Sequence, residues 1–254
     1  MEKVVIDAEK CIGCGLCAKD CVGCNIEIVD GKALTRGVSC IKCGHCEAIC
    51  PQNAVKMEGY SDQIFEFDEQ TRLNPEELMN AIRQRRTIRN FTDTPVPAEV
   101  VDQIIEAGRL APTGTNAQGT GYIVIEKKKA ECEAIAVSAF SKLMKAGGAF
   151  VPAVKNMNIH ENFFFKKAPL VIVVTGKDAV SASLAAQNMA FMAEANGLGV
   201  LFSGFFTACF NFSGEIKKVL GVSKMKAVTT LVIGYPAVKY HRTAHRKDAV
   251  VIRQ

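Results

Sequence analysis

No apolar run in this chain of 254 residues is long enough to cross a bilayer. The run Leu170–Thr175 has the length of a strand, whereas a membrane helix needs about 20 apolar residues. No apolar segment follows a basic start, so no signal peptide is expected. The protein reads as cytoplasmic, without a membrane partner. No Gly-x-Gly-x-x-Gly run follows a strand-like segment, which leaves out a Rossmann dinucleotide fold. The four histidines, His45, His160, His241 and His245, show neither triad nor metal-ligand spacing. Charge of one sign is also scarce, with 31 basic and 26 acidic side chains and a net charge of +5. Residues 1–58 hold seven of the basic and eight of the acidic groups, so the positive surplus lies beyond them. A surplus this mild suits a phosphate-bearing ligand and argues against a nucleic-acid partner.

What the chain does have is cysteine. It holds 11, nine of them in its first fifth. Cys11, Cys14, Cys17 and Cys21 form one C-x2-C-x2-C-x3-C run, and Cys40, Cys43, Cys46 and Cys50 form a second that ends in Cys-Pro. This is the spacing of a bacterial two-cluster ferredoxin. Three thiolates on one tight loop reach different irons of a [4Fe-4S] cube, and the fourth points away to the other cluster. Cys11, Cys14, Cys17 and Cys50 are therefore assigned to one cluster, and Cys40, Cys43, Cys46 and Cys21 to the other. Gly13, Gly15 and Gly44 let the backbone fold around sulfur and aim N–H groups at it. Zinc usually takes two separated cysteine pairs, which fits these triplets less well. Disulfides belong to secreted scaffolds, and this cysteine usage indicates a reducing compartment. Val22 stands where a proline might follow the first run. Cys24 is a ninth thiol nearby, read as a small buried residue that could substitute as a ligand.

The two halves repeat one motif, so residues 1–58 form a small pseudo-symmetric two-cluster domain. Residues 3–7 predict a strand and residues 54–57 its partner. Asp30-Gly31 predicts a two-residue hairpin turn. Residues 59–73 carry acidic side chains among Tyr60, Phe65 and Phe67 and read as a surface linker. Residues 74–254 form the second domain. Asn74, Pro75 and Glu77 open a helix as N-cap, N1 and capping-box partner, with Leu78, Ala81 and Ile82 as its buried stripe. A second helix begins near Pro97 and stops before Pro112. Ser181 is the expected cap of a long helix through Ala195 that ends at Gly197. Ser213 to Leu220 is another helix, closed by Gly221. Strands are expected at 121–126, 170–175 and 227–234. Residues 127–168 are mostly helical, looser at Gly147-Gly148 and around Phe163 to Phe165. The fold class is α+β: a ferredoxin-like unit followed by a larger α+β domain.

The larger domain carries a second constellation. Arg85-Arg86-Thr87-Ile88-Arg89-Asn90-Phe91 follows its first helix, and guanidinium forks beside a hydroxyl grip phosphate well. Arginines at a helix end are otherwise a solvated face favoured by the dipole. Next come Ala111-Pro112-Thr113-Gly114-Thr115-Asn116-Ala117-Gln118, then Glu194-Ala195-Asn196-Gly197-Leu198-Gly199, and last Gly234-Tyr235-Pro236 with Arg242 and Arg246 beyond. In this order the motifs resemble those of the nitroreductase family of FMN-dependent oxidoreductases, over residues 74–254. The resemblance implies a homodimer that exchanges segments and holds FMN at its interface. It implies that Arg85, Arg86, Thr87 and Arg89 hold the phosphate and ribityl chain, with Arg242 and Arg246 as tail contacts. Pro112, Thr113, Asn116 and Gln118 would form the flavin loop, Asn116 on the pyrimidine edge. The backbone at Ser203-Gly204 would face flavin N5, the reactive atom; no catalytic side chain is assigned. Gly119-Thr120 stand where many relatives carry proline and an aromatic, and tryptophan is missing altogether. The resemblance therefore leaves the substrate-facing wall unspecified. Cys132 and Cys209 stand alone and read as core or surface residues rather than nucleophiles.

Clusters that pass single electrons suit a flavin that returns a hydride. The expected function is an oxidoreductase that takes electrons through two [4Fe-4S] clusters to FMN. It would reduce a small organic acceptor such as a nitro compound, a quinone or an activated alkene. NAD(P)H or a ferredoxin is the expected donor. The other reading is a relay between such a donor and a protein partner.

Overall fold

A computed structural model describes residues 3–38, 40–147 and 157–254. The chain divides into two compact units, Met1–Arg72 with Thr113–Ala117, and Leu73–Pro112 with Gln118–Gln254.

In the first unit, β1 (Lys3–Ile6) pairs antiparallel with β4 (Val55–Glu58), and β2 (Ile26–Val29) with β3 (Lys32–Thr35). Asp30 and Gly31 turn the hairpin with φ of 49° and 74°, as a type I′ turn requires. Two short helices, α1 (Leu16–Asp20) and α2 (His45–Ala48), each start behind a left-handed glycine, Gly15 or Gly44. Gly13 shows why glycine is needed here: a Cβ would stand 2.0 Å from the Gly31 carbonyl oxygen. The core is Cys11, Cys17, Cys46, Ile26, Ala33, Ala54 and Val55. So few apolar side chains supply little burial energy, and a unit this small needs further cross-links. Residues 59–68 carry no helix or strand, and a single 3-10 turn follows at Glu69–Thr71. Phe65 and Phe67 are exposed there.

The second unit is built on an antiparallel sheet of β5 (Gly121–Ile125), β6 (Leu170–Thr175), β8 (Ala227–Gly234) and β7 (Gly199–Phe202), in that spatial order. All six residues of β6 are buried. A strand with both faces covered reads as a continuous apolar run rather than an alternating one. Leu170, Ile172 and Val174 pack with the helices α4 (Ala98–Arg109) and α6 (Ala179–Ala195). Val171 and Val173 share the opposite core with α5 (Lys129–Gly147), α7 (Gly204–Phe212) and α8 (Gly214–Leu220). The α+β class expected from the sequence is the class observed.

Several local expectations need correction. Asn74 caps α3 (Pro75–Gln84), accepting from the N–H groups of Glu76 and Glu77, but this helix has no buried residue. Leu78 and Ile82, expected as its buried stripe, are 38% and 47% exposed. The cap of α6 is Asp178, not Ser181: its carboxylate accepts from the N–H groups of Val180 and Ser181 and from the Ser181 hydroxyl. An aspartate three residues earlier outcompetes the serine because its charge also meets the helix dipole. α7 was not expected, since Gly-Phe-Phe-Thr-Ala-Cys-Phe-Asn-Phe carries no side-chain cap. The looser segment expected at Gly147-Gly148 falls partly outside the described residues. Among the described residues, no helix is long and apolar enough to cross a membrane.

Candidate cofactor sites

Each thiol triplet sits on a loop that enters a short helix through a left-handed glycine. The trailing cysteine of each run lies in the other half's cavity. Cys11, Cys14, Cys17 and Cys50 line one cavity, and Cys21, Cys40, Cys43 and Cys46 line the other. Backbone N–H groups donate to sulfur in both: Ala33 to Cys11, Ala54 to Cys50, Asn25 to Cys21 and Lys42 to Cys40, each at 3.3 Å. Burial pushes the Cys46 thiol up to about 11 and raises Cys17 as well. Cys11 is lowered, first by the Ala33 N–H. Buried thiols of this kind ionise when a metal takes the charge. Among the described residues, no three His, Cys, Asp or Glu side chains stand close enough to hold a single metal ion. Cys24, expected as a buried residue, is exposed and lines neither cavity. Burial pushes Cys132 and Cys209 up to about 11, which makes them poor nucleophiles.

In the second unit the segment after α3 is strapped to the sheet. The Ile88 N–H donates to Val200 O at 3.1 Å, Thr92 N–H to Tyr235 O at 2.9 Å, and Ala237 N–H to Asn90 O at 2.9 Å. Arg85, Arg86, Thr87 and Arg89 thus meet Tyr240 and Arg246 around a cavity of about 190 Å³. Arg86 stacks over the Tyr240 ring, 5.3 Å from its centroid. Among the described residues, Arg85 Nη1 is buried without a hydrogen-bond partner, and a buried donor of this kind calls for an acceptor. Glu194 lies within electrostatic reach of Arg85; burial raises its carboxyl and Arg85 draws it down. So many guanidinium groups beside one hydroxyl make an anion site with phosphate chemistry. Arg242 is exposed and lines no cavity with them.

Arg89 also lines a larger cavity of about 610 Å³, with Ser203 and Gly204 at the start of α7. A Cβ on Gly204 would meet no atom within 4 Å. The rest of this wall went unnoticed in the sequence: Met157, Asn158, Phe163, Phe164, Lys166 and Phe205. Phe163 and Phe164 meet edge to face at 5.1 Å. Buried Glu133 accepts the N–H groups of Phe164 and Phe165, both at 2.9 Å. Lys166 lies over the Phe163 ring at 4.7 Å, and burial holds its ammonium below the ordinary lysine range. Arg89 and Lys166 are shared with a third, more polar cavity of about 560 Å³ that adds His160 and Lys167. Pro112, Thr113, Asn116 and Gln118 line none of these three. Asn116 instead donates to Lys42 O at 2.8 Å and Ile41 O at 3.3 Å, within the first unit.

Residues 82–235, more than half of the chain, match the nitroreductase family. The chain belongs to that family. Residues 3–51 match the 4Fe-4S dicluster domain. Among curated relatives, an NADPH-dependent oxidoreductase of Staphylococcus aureus (strain USA300) is 27% identical over 139 residues, 51% of this chain and 53% of that protein. The FMN reductase (NADPH) of Bacillus subtilis (strain 168) is 24% identical over 169 residues, 63% of this chain and 66% of that protein. The chain thus spans about half the length of the Staphylococcus relative. A solved nitroreductase with bound FMN from Desulfitobacterium hafniense DCB-2 shares the family fold. Its TM-score is 0.55 at 22% identity, covering 72% of this chain and 100% of that one.

Proposed function

We propose that the protein is an FMN-dependent oxidoreductase that takes electrons through two [4Fe-4S] clusters and reduces a small organic acceptor. One observation carries the flavin half: Arg85, Arg86, Thr87, Arg89 and Arg246 meet on one cavity, and Arg89 joins it to an aromatic-walled one. The first would hold the phosphate, which would give Arg85 Nη1 an acceptor. The second, walled by Phe163, Phe164 and Phe205, would take the flat ring and exclude water from it. Arg89 and Lys166 would put positive charge on the wall of that cavity, where it would stabilise an anionic ligand. The chemistry supplied there by bound FMN would be one-electron acceptance and hydride transfer. Cys11, Cys14, Cys17 and Cys50 hold one cluster, and Cys21, Cys40, Cys43 and Cys46 the other. The donor is NADPH, as the names of the relatives suggest, or a reduced ferredoxin. The protein works as a homodimer. A second protomer would cover the bare face of α3 and bring Pro112 and Gln118 to the flavin.

The test is anaerobic purification with iron and flavin counted. About eight irons and one FMN per chain are expected, with bleaching on addition of NADPH or reduced ferredoxin and turnover of nitroaromatics or quinones. Arg85→Ala should weaken FMN by about 2–3 kcal/mol, the loss for a charge-assisted contact. Zinc in place of iron, or unchanged flavin affinity in Arg85→Ala, would sink the respective half. Reduction of a protein acceptor with small acceptors untouched would make the protein a relay instead.

A further inference from the structure

The two cysteine loops are not true copies, and the difference lies where Asn116 binds. In the first loop the residue before the second cysteine is Gly13, with φ of 67°. In the second loop that residue is Lys42, which takes the same left-handed turn with φ of 57°. Glycine adopts this conformation freely, whereas a residue with a Cβ has to be held there. The Lys42 carbonyl accepts one Asn116 amide hydrogen at 2.8 Å, and the Ile41 carbonyl accepts at 3.3 Å. Asn116 is itself left-handed, with φ of 54°, in a stretch where Thr115 and Gln118 are too. Such conformations persist only where the surroundings enforce them.

We propose that Asn116 is a positioning residue that holds the second cysteine loop and raises the potential of the cluster it carries. This rests on the two-cluster reading above. The peptide unit joining Ile41 and Lys42 is engaged at both ends. Its carbonyl accepts from Asn116, and its N–H donates to Cys40 Sγ at 3.3 Å. Hydrogen bonds in series polarise one another, so the amide of Asn116 strengthens the N–H that faces sulfur. A donor to sulfur stabilises the more negative, reduced state, and such donors help to set cluster potentials. The family motif that supplies Asn116 is therefore engaged in this chain by the iron–sulfur unit.

The test is a potentiometric titration of the full chain, purified anaerobically and followed by electron paramagnetic resonance. Cys14→Ser and Cys43→Ser variants, each losing one cluster, assign the two signals. In Asn116→Ala the potential of the cluster removed by Cys43→Ser should fall, by about tenfold in its one-electron reduction constant, or about 59 mV. The other cluster should not move. Asn116→Asp should lower it further, since a carboxylate donates nothing and adds negative charge. If Asn116→Ala loses the iron of that cluster, Lys42→Gly in the same chain should restore it, because glycine takes the turn unaided. Two unmoved potentials at full iron content would overturn the inference, as would equal shifts in both. Iron loss that Lys42→Gly does not restore would overturn it as well. Weakened FMN binding with both potentials unmoved would return Asn116 to the flavin. Fewer than about eight irons in the unaltered protein would instead overturn the two-cluster reading, and this inference with it.

Discussion

Glu133, early in α5, is a buried carboxylate that accepts the N–H groups of Phe164 and Phe165. Burial raises its carboxyl above the ordinary range, against the pull of those donors and of Lys129. A raised acid supports the fold below its ordinary pKa, and that support is lost as pH rises through the folded value. Glutamine cannot titrate, yet its Oε1 still accepts both N–H groups. Glu133→Gln should therefore flatten the fall in Tm as pH rises above about 4.5, the ordinary value for the group. Glu133→Ala strands two buried donors and should cost about 2–4 kcal/mol in denaturant unfolding. Parallel Tm curves for Glu133→Gln and the unaltered protein would refute this role. Nothing in the sequence separates this glutamate from Glu131 or Glu126, because its partners lie about 30 residues away. The arginines were different. Arg85 and Arg89 stood out in the sequence as a cationic fork beside a hydroxyl, Arg246 only by resemblance, and the fold brings all three to one cavity. Arg242 was legible only by resemblance, and it lies exposed.

Among elements, the strap 87–91 aligns the site, and Gly199 lets it lie close to β7. A Cβ on Gly199 would stand 2.3 Å from Ile88 Cγ1 and 2.8 Å from Ile88 Cβ. Gly199→Ala should push Ile88 outward, moving Thr87 and Arg89 with it. Overpacking of this kind costs about 1–3 kcal/mol. FMN affinity should drop about tenfold or more while the far-ultraviolet dichroism stays native. Unchanged flavin affinity would mean that the strap does not align the anion site. The helices with capping signals, such as α3 and α8, were readable in advance because caps are local chemistry. The start of α7 and the wall formed by Phe163 to Lys166 were not. A run of phenylalanines has no period, and only the packing of α5 and α7 decides which rings face the cavity.

Taken as a whole molecule, one chain leaves apolar surface bare in places that suit a second copy. Leu78, Met79 and Ile82 are exposed on α3, and Val250 to Ile252 are exposed in the tail. An amphipathic helix with no buried residue gains its stability from whatever covers it. Replacing both Leu78 and Ile82 by glutamate should shift the protein to monomer in light-scattering chromatography. Iron content should be kept, and FMN should be lost as the interface opens. A dimer that survives both charges would place the interface elsewhere. The grouping of the eight cysteines into two crossed sets was legible in the sequence, because their spacings constrain one another. The anchorage of Asn116 was not, since hydrogen bonds spanning 74 and 75 residues leave no local trace.

The crossed walls of the thiol cavities also bear on how the protein is made. Cys11, Cys14 and Cys17 leave the ribosome early, but their cavity is incomplete without Cys50. Cys21 likewise waits for Cys40, Cys43 and Cys46. At about 5–20 residues per second, the nascent chain carries bare thiols for seconds before either cavity can close. Both cavities gain their last cysteine almost at once, Cys46 in one and Cys50 in the other. A polypeptide cut short between Cys46 and Cys50 forfeits the earlier cysteine set while keeping all four of the later one.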